Sequence, residues 1–269
     1  MTKARRELAA RMTTQDLVVE VLDARLPAAS ANPLITELRG ERPCLKILTR
    51  SDLADPAQTA AWVRHLEATG GGAVTAFAAT TRQADDTRRR FAEALAQRRL
   101  VSTPGKPVRV LVAGIPNVGK STLLNTLLDR VVAKVGDKPA VTKNQQHVAL
   151  ATGTILTDSP GLLWPKIEDE AVALTLALAG SIPDTAIDHV IVARFGAMRL
   201  CERYAALVQA RWKLPTLPAT GDELVRAIGK RRGCLLPGGI VDEHRAAELL
   251  IHEFRDGTLG RITLDVPPT

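Results

Sequence analysis

The stretch Val108–Asn125, VRVLVAGIPNVGKSTLLN, leaves the chain few ways to fold. Val108–Ala113 is nearly all apolar, as a strand buried on both faces must be. Gly114-x-x-x-x-Gly119-Lys120-Ser121 follows it directly, and Lys120–Leu128 reads as a helix leading out. This strand–loop–helix is a phosphate cradle. Its glycines let backbone N–H groups converge on phosphate oxygens, and the helix N-terminus adds positive potential. Asn117, Val118, Gly119, Lys120, Ser121 and Thr122 are the expected phosphate contacts, with Lys120 bridging the β- and γ-phosphates. The Ser121 hydroxyl is expected on Mg²⁺.

Two elements downstream fit the same chemistry. Thr154–Thr157 reads as a strand and runs into Asp158-Ser159-Pro160-Gly161. A carboxylate at the end of a buried strand after a phosphate loop is the second metal-holding element of such sites, so Asp158 is expected to act on Mg²⁺. The N–H of Gly161 is expected to face the γ-phosphate, where it and Lys120 would stabilise the transition state. Between the two, Thr142 lies in the polar loop KPAVTK, where a switch threonine would complete the metal shell. The residue after Gly161 is Leu162, not the glutamine that orients water in Ras-like enzymes. An apolar side chain cannot orient water by hydrogen bonding, so the group that does so is not identified in the sequence.

No base-reading Asn-Lys-x-Asp element follows Gly161. Upstream, the strand Cys44–Leu48 ends in Thr49-Arg50-Ser51-Asp52, and the strand Ala73–Ala78 ends in Ala78-Ala79-Thr80. Asp52 would accept the guanine N1 and N2 hydrogens. Thr49 and Arg50 would flank it, and Ala78 and Ala79 would offer backbone N–H groups to the guanine oxygen. Both base-reading elements thus precede the phosphate loop. A circularly permuted sheet closed around one site reconciles that order, because domain termini commonly lie close together at the surface.

The remaining sequence fits a doubly layered architecture. Strands Leu17–Leu22, Cys44–Leu48, Ala73–Ala78 and Val108–Ala113 alternate with segments of helical spacing such as Thr59–Ala68. This predicts an α/β fold with a mostly parallel sheet and helices on both its faces. His147–Ala151 and Thr154–Thr157 turn about Gly153. Arg199–Trp212, Glu223–Ile228 and Glu243–Phe254 read as amphipathic helices, so residues 1–180 are expected to form the GTPase-like domain and 181–269 a small all-α domain.

The chain carries a net charge of +7, concentrated in residues 1–107, where 17 Lys and Arg face 12 Asp and Glu. Clusters at Lys3, Arg5, Arg6, Arg11 and at Arg88–Arg90 would suit a polyanion, or would be ordinary solvated helix faces. Aromatic residues make up only 3 %, which argues against binding single strands by base stacking. Three isolated cysteines form no C-x-x-C pair, which fits a reducing cytoplasm and argues against zinc. No apolar run is long enough to span a membrane.

In VVEVLDARLPAASANP, TRSDLAD, GIPNVGKSTLLN, VTKNQQ, DSPGLLWPKIEDE, KRRGCLLPGG and FRDGTLGRI the chain resembles the circularly permuted ribosome biogenesis GTPase A family over nearly its whole length. The resemblance implies GTP and GDP as ligands and binding to the immature large ribosomal subunit. It also implies a C-terminal helical domain that helps contact rRNA, with neither DNA nor membrane as partner and a monomeric chain. Two departures stand out. The family's Asn-Lys opening of the base motif is Thr49-Arg50 here, and the family's N-terminal histidine has no counterpart, so no catalytic residue is carried over. Asn117 stands where similar GTPases coordinate K⁺, or it merely braces the loop. Slow hydrolysis, raised by K⁺ and by large subunits, is the expectation. A nucleotide-gated rRNA-binding scaffold with little hydrolysis, or an ATP-using phosphate-loop enzyme, are the alternatives; Asp52 counts against ATP.

Overall fold

The computed structural model describes residues 3–128, 147–150, 152–164 and 167–268. The chain divides into two compact units, Met1–Lys166 with Asp265–Thr269, and Ile167–Leu264.

Among the described residues, the first unit is built on a six-stranded sheet of β1 (Leu17–Asp23), β2 (Cys44–Thr49), β3 (Val74–Ala78), β4 (Val108–Ala113), β5 (His147–Ala149) and β6 (Thr154–Asp158). Their spatial order is β3-β2-β1-β4-β6-β5. All pairings are parallel except β5 with β6. From β1 the chain winds outward through β2 to β3, then returns to lay β4 against the other side of β1. The C-terminal ends of β1 and β4 therefore flank a topological switch point, where open α/β sheets bind ligands. Every residue of β1 is buried, Glu20 included. Its carboxylate is paired at 2.9 Å with Lys46, its register partner on β2, which offsets the cost of the buried charge.

Helices α1 (Lys3–Met12), α2 (Pro27–Ser30), α3 (Pro33–Arg39), α4 (Pro56–Thr69), α5 (Ala84–Gln97) and α6 (Lys120–Leu128) flank the sheet. Two of them start on the same signal. Asn32 and Asp55 accept backbone N–H groups of the first turn, and a proline follows each at a position whose N–H no helix needs. Leu8 and Met12 of α1 join Ile35 of α3 over Val18, Leu111 and Ala113, while Trp62 of α4 closes over Leu22, Leu48 and Ala54. The arginine cluster of α5 is an ion-pair ladder. Arg88 pairs with Asp85, Arg89 with Asp86 and Glu93, and Arg90 with Asp86. Its positive charge is largely matched within the helix, so the solvated-face reading holds there.

The second unit is all-α: α7 (Glu170–Leu178), α8 (His189–Trp212), α9 (Gly221–Arg232) and α10 (Glu243–Asp256). The boundary falls at Lys166/Ile167 rather than at residue 180. The reason is α7, whose terminal carbonyls at Ala177 and Leu178 accept from the Arg255 guanidinium of α10 at 2.9 and 3.0 Å. Helix α8 begins at His189, ten residues before the amphipathic pattern starts, and breaks at Tyr204 (φ −132°, ψ 36°). There the Tyr204 hydroxyl donates to the carbonyl of Thr263 and accepts from its N–H. Glu253 of α10, 4 % exposed, accepts two bonds from Arg211 of α8 and one from Arg232 of α9.

One carboxylate thus ties three helices together. Glu253→Ala should leave two half-exposed guanidinium groups without their shared acceptor and cost about 1–3 kcal/mol. Denaturant unfolding monitored by circular dichroism checks this.

Candidate nucleotide-binding site

Strand register brings the site together. Asp23 at the end of β1 lies opposite Thr49 at the end of β2, and Val112 of β4 lies opposite Asp158 at the end of β6. The base loop, the phosphate loop and the Asp158 loop therefore leave the same edge of one sheet.

In the phosphate loop, Gly119 adopts φ +94°, and a Cβ there would meet the Thr49 hydroxyl at 3.3 Å. Asn117 takes a left-handed conformation (φ 59°), which asparagine tolerates better than most residues. Val118 is fully buried, whereas Ser121 and Thr122 are half-buried in the first turn of α6. Lys120 is buried, and its ammonium donates to the loop's own Ile115 carbonyl at 2.7 Å. Burial pulls its pKa down to about 8, against the opposing pull of the Asp158 charge. An incoming phosphate would give this ammonium the anion that the loop alone does not supply.

Asp158 is 1 % exposed, and neither carboxylate oxygen has a hydrogen-bond partner among the described residues. Burial pushes its pKa up to about 6, opposed by Lys120. A buried carboxylate with both oxygens unmatched fits a hard divalent cation, for which Ser121 in the first turn of α6 would be a second oxygen donor. Thr142, the third expected metal group, lies outside the described residues. At Gly161 a Cβ would lie 2.8 Å from Pro116 Cα and 2.9 Å from the Lys120 ammonium. Only glycine fits against the phosphate loop at that point. Leu162 turns its side chain into the apolar cluster around Leu8, Met12 and Ile35.

The base side opens on a cavity of about 210 Å³ lined by Thr49, Arg50, Asp52, Ala79, Gly119 and Thr122 among others. The two residues that replace Asn-Lys brace the phosphate loop. The Thr49 hydroxyl lies within hydrogen-bond distance of the carbonyls of Leu22 (2.9 Å) and Val118. Arg50, at φ 56°, extends its guanidinium to the Asn117 carbonyl at 2.6 Å and to Asp23 at 3.3 Å. Asp52 faces the cavity with its carboxylate paired to the exposed Arg82 at 3.2 Å. The expectation for Ala79 needs correction. Its N–H closes the β2–β3 ladder on the Leu48 carbonyl at 2.8 Å and is not free for a base, and Ala78 does not line the cavity. The lining passes instead to Thr80 and Thr81.

Sequence reasoning named no role for the residues that set this frame from behind. Asp23, buried, receives a two-pronged ion pair from the equally buried Arg25 at 2.8 and 3.0 Å. Arg25 and Arg50 hold its carboxyl below the usual carboxylate range despite burial. The only hint was DARLPAASANP itself, whose charged pair sits at the end of an apolar strand.

Residues 109–208 match the family described as 50S ribosome-binding GTPase. The ribosome biogenesis GTPase A of Bacillus cereus is 38 % identical over 99 % of this chain and 92 % of its own. A crystal structure of GNP-bound YlqF from T. maritima is 27 % identical, covers 99 % of each chain and superposes with a TM-score of 0.68. A GDP-bound structure of TM YlqF, 24 % identical, shares the fold with a TM-score of 0.73 over 97 % of this chain and 99 % of its own.

Asp158 makes the site costly without its ligand. Its carboxyl binds a proton more tightly folded than unfolded, so stability falls as pH rises from about 4 to about 6 and stays lower above that. Asp158→Asn should therefore stabilise the nucleotide-free protein at pH 7.5 by about 2–3 kcal/mol. The gain should vanish near pH 4, as urea titrations at the two pH values would record.

Proposed function

The chain belongs to the ribosome biogenesis GTPase A family, and from that premise we propose a GTP-hydrolysing factor that docks on the immature large ribosomal subunit and leaves after hydrolysis. As a family member it is a GTPase with a role in ribosome assembly. The observation that supports guanine-nucleotide binding is that Asp52 and the phosphate-loop residues Gly119 and Thr122 line one cavity, although the first precedes the others by some seventy residues of chain.

In this reading Asp52 exchanges Arg82 for the guanine N1 and N2 hydrogens, while Arg50 and Thr49 hold the phosphate loop at the right distance from the base. Lys120 leaves the Ile115 carbonyl for the phosphates. Ser121, Asp158 and Thr142 would hold Mg²⁺, which would offset the negative charge of the phosphates. Gly161 presents its N–H to the terminal phosphate. Leu162, packed into the apolar cluster, takes no part in orienting water. That task would fall to the ribosomal particle, and Asn117 would hold K⁺, which would supply positive charge. The helical unit contacts rRNA, and the protein works as a monomer in the cytoplasm. The burial of Leu162 favours a second reading, a GTP-gated rRNA-binding scaffold that hydrolyses little by itself.

GTP turnover measured with and without purified large subunits, in K⁺ and in Na⁺, tests the proposal. The expected result is slow turnover alone and a rise of about tenfold or more with subunits in K⁺. Equal rates under all four conditions would remove the stimulated-hydrolysis mechanism, and turnover absent throughout would leave the scaffold.

A further inference from the structure

We propose that Asn32 is a positioning residue that locks the loop after Asp158, so that the Gly161 N–H meets the terminal phosphate of GTP. The inference rests on the GTPase reading of this site and adds a residue to it.

Asn32 is 1 % exposed and uses every part of its polar surface. Its backbone N–H donates to the Glu20 carboxylate at 3.1 Å, and Glu20 is fixed on the central strand by Lys46. Its side-chain oxygen accepts the N–H of Leu34, capping α3. Its side-chain amide donates to the carbonyl of Leu162 at 2.7 Å, 130 residues further along the chain. The N–H of Leu162 in turn reaches the Gly114 carbonyl at 3.4 Å. Leu162 is thus tied at one end to the first glycine of the phosphate loop and at the other to β1 through Asn32 and Glu20.

The choice of asparagine follows from this geometry. A helix cap needs an acceptor alone, and serine, threonine or aspartate would serve as well. Only an amide carries its acceptor and donor on separate atoms, so that one caps Leu34 while the other reaches Leu162. The preceding residue needs that hold, because Gly161 lies too close to Pro116 and Lys120 for any side chain, so a small shift of the loop misplaces its N–H. GDP lacks the phosphate that this N–H would meet. Asn32 should therefore matter for GTP and hardly for GDP, which a merely structural role would not produce.

Two variants keep the cap acceptor and lose the amide donor to Leu162: Asn32→Asp, and the neutral Asn32→Ser, whose shorter side chain holds its hydroxyl at the cap and short of the Leu162 carbonyl. For both, GDP affinity should stay near that of the wild type, while the melting temperature of the nucleotide-free protein should fall because the Leu162 carbonyl loses its donor. Affinity for a non-hydrolysable GTP analogue and kcat with large subunits should each fall about tenfold. Equal losses for GDP and the GTP analogue, no loss for either, or unfolding of both variants would overturn the proposal. A wild-type protein that binds GDP and the GTP analogue alike would overturn it too, whereas one that binds neither would overturn the GTPase reading beneath it.

Discussion

The parallel pairing of β1 with β2 on one side and β4 on the other is the constraint on which the site depends. Because β1 is central and wholly buried, the register of its two neighbours is set by the same row of residues. That register places Asp23 beside Thr49 and the start of the phosphate loop beside Val21 and Glu20. Side chains then fasten what the strands align. Arg50 runs from the base loop to the Asn117 carbonyl, with Asp23 as its anchor, and Thr49 meets the Val118 carbonyl. A chain whose base reader comes first and whose phosphate loop comes later needs such bridges, because nothing in their sequence order holds them together.

The charges around this frame fall into two groups. Asp23 with Arg25, and Glu20 with Lys46, are buried and matched, so they add rigidity where the loops begin. Lys120 and Asp158 are buried with their charges pushed toward neutrality. Frustration of that kind suits a place where a ligand would supply the missing partner: phosphate for the ammonium, a divalent cation for the carboxylate. In the helical unit the buried Glu253 follows the first pattern, matched by Arg211 and Arg232.

Much of this was legible in the sequence, for reasons that differ from part to part. The apolar runs of β1, β2, β3, β4 and β6 were plain because strands of a buried parallel sheet need no polar face. Lys120 and Ser121 stood out by their spacing within the phosphate loop, and Asp158 and Gly161 by theirs within the loop after β6. Asp52 could be placed because its strand end demanded a use. Asn32 and Asp23 could not be given roles, since Leu162 lies 130 residues from the first and Arg50 lies 27 from the second, and no local pattern encodes such distances. The amide of Ala79 was misjudged because strand β3 closes its ladder at that residue, a matter of register rather than composition. The unit boundary moved for a similar reason: the arginine that caps α7 sits at the end of α10.

The central claim is that a residue upstream of the phosphate loop reads the base. Asp52→Asn tests it directly, with xanthosine diphosphate measured beside GDP. An asparagine amide can donate to the xanthine 2-oxygen where the carboxylate accepted the guanine amino group. The account predicts that the variant loses GDP affinity by tenfold or more, about 1.4 kcal/mol, and gains preference for xanthosine diphosphate. Unchanged GDP affinity, with xanthosine diphosphate still rejected, would contradict it.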